Sequence, residues 1–210
     1  MQATFTTNRL EAFSDGVLAI ILTIMVLELK VPLNAPDFSA LKPVIPVFLS
    51  YLLSFVNVGI YWNNHHHLMH AAEKVTGGIL WANLNLLFWL SLIPFVTAWM
   101  GENHFAAAPV ALYGIVLLLS ALAYTILQYT IVRIHGKESV LAKAVRNDRK
   151  EKLSIVLYVA AIALAFVQPW IAGALYACVA LMWLIPDPRI EEAIVESEPI
   201  RESEVVDHEA

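Results

Sequence analysis

Charge is what this sequence has least of. Of its 210 residues 15% are Asp, Glu, Lys or Arg, against 59% that are apolar, and the mean hydropathy is +0.67. That composition lies outside the range of soluble domains. The one cysteine, Cys178, sits in an apolar run between Ala177 and Val179, which excludes an intramolecular disulfide and offers no redox motif. The opening MQATFTTNRLEAF has neither the basic n-region nor the small-residue cleavage site of a secretory signal, so the first hydrophobic segment is expected to belong to the fold. No HExxH or GxSxG occurs, and Ser14, beside Asp15, has no histidine on its own segment. Catalysis is therefore the least supported reading. Neither half of the chain echoes the other. Pro46, Pro94 and Pro109 do not fall at matching positions, as the paired broken helices of many transporters would require.

What is present is a series of long apolar runs. A membrane-spanning helix needs about 20 mostly apolar residues to cross about 30 Å of hydrocarbon. Six segments meet that need, giving an all-α membrane protein: Asn8 to Leu29, Ser39 to His67, Gly77 to Met100, Pro109 to Ile134, Leu153 to Val167, and Trp170 to Ile185. Asn8 followed by Glu11 reads as a capping box at the first helix start, and Pro32, Asn34 and Pro36 end that helix. A short polar loop joins the third and fourth helices, and Gln168, Pro169 and Trp170 form the turn before the sixth.

The basic residues set the orientation. The connector after the fourth helix, with Arg133, Lys137, Lys143, Arg146, Arg149, Lys150 and Lys152, is expected to be cytoplasmic. Six spans then put both termini inside, along with Arg9, Lys74 and Arg189, and leave Lys30 and Lys42 outside. Residues 1–186 form the predicted membrane domain, and 187–210 an acidic, disordered cytoplasmic tail. The tail holds nine of the 18 acidic residues, so the net charge of −5 belongs to it. The remainder is nearly balanced and gives no reason to expect a nucleic-acid partner.

The chemistry concentrates in the first helix. Arg9, Glu11, Asp15 and Glu28 lie on an element that otherwise reads GVLAIILTIMVL. An ionisable residue inside a membrane helix costs about 2.5–3.5 kcal/mol at mid-depth and faces protein or water. Arg9, Glu11 and Glu28 lie near the ends and read as helix-end charges; Asp15 is two turns in. Arg9 and Asp15 are about 240° apart around the helix, so they cannot pair along one face. The partners expected for Asp15 or Ser14 are Trp62 and His65, three residues apart on the second helix. Beyond Asp15, Ile20, Ile24 and Leu27 follow the i, i+4, i+7 spacing of one helical face, with Thr23 beside them. Spacing alone makes such a stripe ordinary core or lipid contact.

Arg9-x-x-x-Phe13-Ser14-Asp15 at the head of a first membrane helix resembles the signature of the transmembrane protein 175 family of potassium channels. The continuation GVLAIILTIMVLEL, the second-helix ending Trp62-Asn63-Asn64-His65-His66, and NLNLLFWLSLIPFVTAWMGE in the third are similar to its prokaryotic branch. The likeness covers about the first 135 residues, and the last two helices by topology alone.

The resemblance implies a homotetramer in the lipid bilayer whose first helices line a central pore. It also implies a prokaryotic plasma membrane, because animal members join two six-helix repeats in one chain. No cofactor is implied beyond permeant potassium ions. The chain has no TVGYG-like filter loop, and the family narrows its pore with rings of bulky apolar side chains instead. Aligned on Phe13-Ser14-Asp15, the principal ring falls on Ile20, with further layers at Ile24 and Leu27 and a hydroxyl ring at Thr23. Arg9, Phe13, Ser14, Asp15, Trp62 and His65 are then expected to form a structural polar cluster supporting the pore helix. An arrangement with Asp15 facing the pore stays open.

Two other readings stand beside the channel. In HHHLMHAAE, His66, His70 and Glu73 recur at spacings of four and three, which would suit metal ligands on one helical face. A proton-coupled transporter would use Asp15 or Glu28 as its proton carrier.

Overall fold

The computed structural model describes residues 7–33, 37–70, 72, 74–135 and 149–184, and among them all regular structure is helical. Helix α1 covers Thr7–Val26. A 3-10 segment, Phe38–Val44, leads into α2, Ile45–His70. Helices α3, Gly77–Ser91, and α4, Ile93–Glu102, follow, then α5, Ala107–His135. Helices α6, Arg149–Ala165, and α7, Pro169–Leu184, complete the described chain.

Among the described residues, three stretches are long and apolar enough to cross a membrane, namely Phe38–His70, Gly77–Glu102 and Ala107–Ile134, and Pro169–Leu184 is a shorter apolar helix. The ends of the protein are less plainly membranous for local reasons. Helix α1 carries Arg9, Glu11 and Asp15, and the 17 residues of α6 open with RKEK.

The boundaries depart from the sequence expectation in three places. The third span is two helices, because Pro94 has no N–H to donate and its ring conflicts with the carbonyl one turn back; the chain turns at Leu92, whose N–H bonds Trp89 O at 3.2 Å, and restarts at Ile93. Asn8 is inside α1, so the expected capping box is not its start; the Thr7 hydroxyl instead donates to Ala72 O at 3.1 Å, and Glu11 turns to another helix. Arg149, Lys150 and Lys152, expected in a connector, belong to the first turn of α6. The other connector residues, 136–148, and the acidic tail lie outside the described residues.

Helix α5 is the hub, contacting α3, α4, α6 and α7, whereas α1 rests on α2, α3 and α4 at the opposite side. Lipid is as apolar as leucine, so association of these helices relies on close packing and internal hydrogen bonds. Both are present. At Gly101, a Cβ would come within 2.7 Å of Val47 Cα, so α2 and α4 approach backbone to backbone. Gly114 makes room for the Tyr176 ring and hydroxyl, and that hydroxyl donates to Val110 O at 3.2 Å. In the α2–α4–α5 core the Ser54 hydroxyl lies 2.6 Å from that of Thr97 and donates to Tyr113 at 3.1 Å.

Candidate functional site at the first helix

Helix α1 has two faces of different fate. Leu10, Ser14, Leu18, Ile21 and Met25, spaced by three or four residues, are buried against the rest of the protomer. On the other side Ile20, Ile24 and Leu27 are 58%, 44% and 75% exposed, and Thr23 is exposed beside them. Every residue of the predicted stripe thus lies on the face that its own protomer leaves uncovered. The Thr23 hydroxyl donates back to Ala19 O at 2.9 Å and Ile20 O at 3.1 Å, which engages its proton and leaves oxygen lone pairs outward. Along one flank the stripe borders a groove of about 760 Å³ against α3 and α4, walled by Ile20, Ile24, Phe95 and Trp99 and bounded by Glu28 and Glu102. Lys30 closes on Glu102 at 2.8 Å near that end. The hydrogen bond and charge of Glu102 raise the Lys30 pKa above its ordinary value.

At the end of α1 that holds Asp15, two rungs tie it to α2. The Trp62 indole N–H donates to Asp15 Oδ1 at 3.0 Å, and one turn away His66 Nδ1 lies 2.6 Å from Glu11 Oε1. Both rungs use residues four apart on each helix, which the helical repeat places one above the other. The His66 ring stacks on Trp62, with centroids 6.5 Å apart at 26°, and on His70, at 6.3 Å and 24°.

Behind the rungs runs a buried relay. His65 Nε2 is 2.8 Å from Asn83 Oδ1, the Asn83 amide donates to Ser14 Oγ at 2.9 Å, and Ser14 donates to Leu10 O at 2.9 Å. Because Asn83 donates toward Ser14, its oxygen must accept from His65, which fixes the proton on Nε2.

The contacts differ in detail from the expected pairing. Trp62 meets Asp15, but His65 reaches Ser14 only through Asn83, and Asp15 is half-buried rather than enclosed. Phe13 is 53% exposed and Arg9 is exposed, so neither is enclosed in the cluster within one protomer. Sequence reasoning missed Asn83, whose signal was an amide inside the apolar run NLNLLFWL. It also missed the Glu11–His66 contact by treating Glu11 as a helix-end charge. No group of three or more His, Cys, Asp or Glu suited to a metal exists among the described residues. His66 is occupied by Glu11, and Glu73 lies outside the described residues.

Comparison with known proteins places this geometry. The family profile described as "Endosomal/lysosomal potassium channel TMEM175" matches residues 9–94, which include all but the first two residues of α1, both rungs and the relay. A potassium channel of a Chryseobacterium species is 58% identical over 192 residues, covering 91% of this chain and 100% of that protein. A potassium channel of Streptomyces collinus is 32% identical, with 89% of this chain and 97% of that protein covered. The crystal structure of a lysosomal potassium-selective channel TMEM175 homolog from Chamaesiphon minutus superposes with a TM-score of 0.70 at 26% identity, over 85% of this chain and 96% of that one. The chain belongs to the TMEM175 family, whose members are ion channels of the membrane and not enzymes.

Proposed function

We propose that the chain is a cation channel of the bacterial plasma membrane, permeable to potassium in modest preference to sodium, built as a homotetramer around four copies of α1. The observation that carries this reading is the uncovered face of α1. A helix that buries one stripe in its own protomer and leaves Ile20, Thr23, Ile24 and Leu27 exposed cannot enclose a path alone, whereas four such faces turned inward can. Each subunit contributes six spans when α3 and α4 are counted as one helix broken at Pro94. Residues 1–186 form the channel and 187–210 an acidic tail, with both termini in the cytoplasm.

The gate in this account is apolar. Four Ile20 side chains form a ring that excludes water when narrow, and opening requires the α1 helices to rotate or spread. Such a ring offers no ligand to a bare ion, so potassium passes more readily because it gives up its hydration more easily. The outward lone pairs of Thr23 assist just beyond. Asp15, engaged by Trp62, together with the Ser14–Asn83–His65 relay, positions the pore helix instead of coordinating ions. Potassium efflux from liposomes tests the channel: purified tetramer should release potassium, and Ile20→Asn should accelerate release several-fold. Tetramer that releases none would refute the reading.

A further inference from the structure

Away from α1, helices α5 and α6 each carry an exposed apolar lane that ends in cations. On α5, Leu122, Ile126, Tyr129 and Arg133 follow the i, i+4, i+7, i+11 spacing of one helical face, and all four are exposed. On α6, Arg149, Lys152, Val156 and Val159 do the same at i, i+3, i+7 and i+10, again all exposed. The other face of α6, with Ser154, Tyr158, Ala161 and Ala165, is the buried one. In a membrane protein the uncovered apolar lanes meet acyl chains.

The two cationic ends coincide. A Cβ on Gly114 would come within 2.9 Å of Ile162 Cγ1, and Thr125 donates to Glu151, so α5 and α6 run antiparallel in a register that sets Arg149 level with Leu127. Arg133 stands about 9 Å further along the same axis, a distance that long basic side chains close by reaching along the helix toward one headgroup layer. Tyr129 lies between these levels with an amphipathic ring of the kind found at that boundary. Helix α5 has no Asp or Glu, and the one acid of α6, Glu151, is engaged by Thr125 and by a further interaction. Among the described residues, no hydrogen bond or ion pair engages Arg133, Arg149 or Lys152. Arg149 and Lys152 also stand in the first turn of α6, where the helix dipole disfavours cations, so the helix itself gains nothing from them. Uncompensated cations at the head of apolar lanes match an anionic phospholipid, with its phosphate against guanidinium and ammonium and its acyl chains along the lanes.

We propose that the α5–α6 surface of each protomer is a docking site for anionic phospholipid, held at its headgroup by Arg133, Arg149 and Lys152. The site lies outside the α1 stripe and does not rest on the pore reading. Its test is the lipid that the full chain retains. The protein is reconstituted in equimolar phosphatidylglycerol and phosphatidylcholine with the same acyl chains, extracted in mild detergent, and its bound lipids are counted by native mass spectrometry. Phosphatidylglycerol should exceed phosphatidylcholine several-fold on the wild type. The excess should be lost when Arg133→Gln, Arg149→Gln and Lys152→Gln are combined, and each single change should remove part of it. Lys42→Gln, an exposed lysine of the 3-10 segment, should leave the excess intact. Equal retention of the two lipids by the wild type would overturn the proposal. So would an excess that survives the combined change, or one that Lys42→Gln lowers as much.

Discussion

The side chain on which the α1–α2–α3 junction turns is Asn83. It accepts from His65 and donates to Ser14, both buried, so a leucine of similar volume would orphan two polar groups at once. At about 1–3 kcal/mol per orphaned group, Asn83→Leu should lower the melting temperature in detergent clearly, and Ser14→Ala less, because the serine removes its own need along with its bond. Equal melting of Asn83→Leu and wild type would mean the relay carries no weight. Trp62→Phe removes one donor to Asp15, but Trp62 is 47% exposed. Its stability cost should be small, with the effect appearing in open probability, read from single-channel recordings. At this scale Asp15–Trp62 was legible because an acid in an apolar helix demands a partner, and indole is a common donor. Asn83 was not legible, since a neutral amide raises no such alarm until the two helices beside it are placed.

Among elements, α2 and α4 meet backbone to backbone. An added methyl at Gly101 would press on Val47 Cα, which belongs to backbone and cannot yield, so Gly101→Ala should cost about 1–3 kcal/mol, as overpacked cores do. Gly16, also helical, meets nothing within 4 Å; Gly16→Ala should hold or raise protomer stability by up to about 1 kcal/mol through helix propensity. Parallel thermal melts separate the two, and a Gly101→Ala protein as stable as Gly16→Ala would show that the close approach is dispensable.

The long apolar runs were readable because a bilayer demands continuous hydrophobicity, and their centres fell where expected. Pro94 marks a candidate kink in the third span, but composition runs unchanged through both halves, so the span reads as one segment and the break at Leu92 shows only in the structure. The Lys30–Glu102 contact between the end of α1 and α4 depends on a lysine whose pKa is raised by its partner. A raised lysine pKa means the contact is present at neutral pH and is lost only as pH climbs through that value. Melting should therefore be insensitive to this pair from pH 6 to 9, and Lys30→Met should change it little there.

For the whole molecule, one protomer explains its own core but not its surface. The face of α1 that bears Ile20, Thr23, Ile24 and Leu27 is exposed in isolation and borders the groove toward α4. Stripe spacing alone could not distinguish a pore from lipid contact, and resemblance to a channel family supplied the difference. The account's central claim is that these faces meet around an ion path narrowed at Ile20. Its most direct test is the reversal potential of the purified tetramer in a lipid bilayer, with potassium on one side and sodium on the other, for wild type and Ile20→Asn. The account predicts a potassium-favouring reversal potential in the wild type that moves toward zero in Ile20→Asn, with larger current. Absence of current in folded tetramers of both proteins, or a reversal potential unchanged by Ile20→Asn, would contradict it.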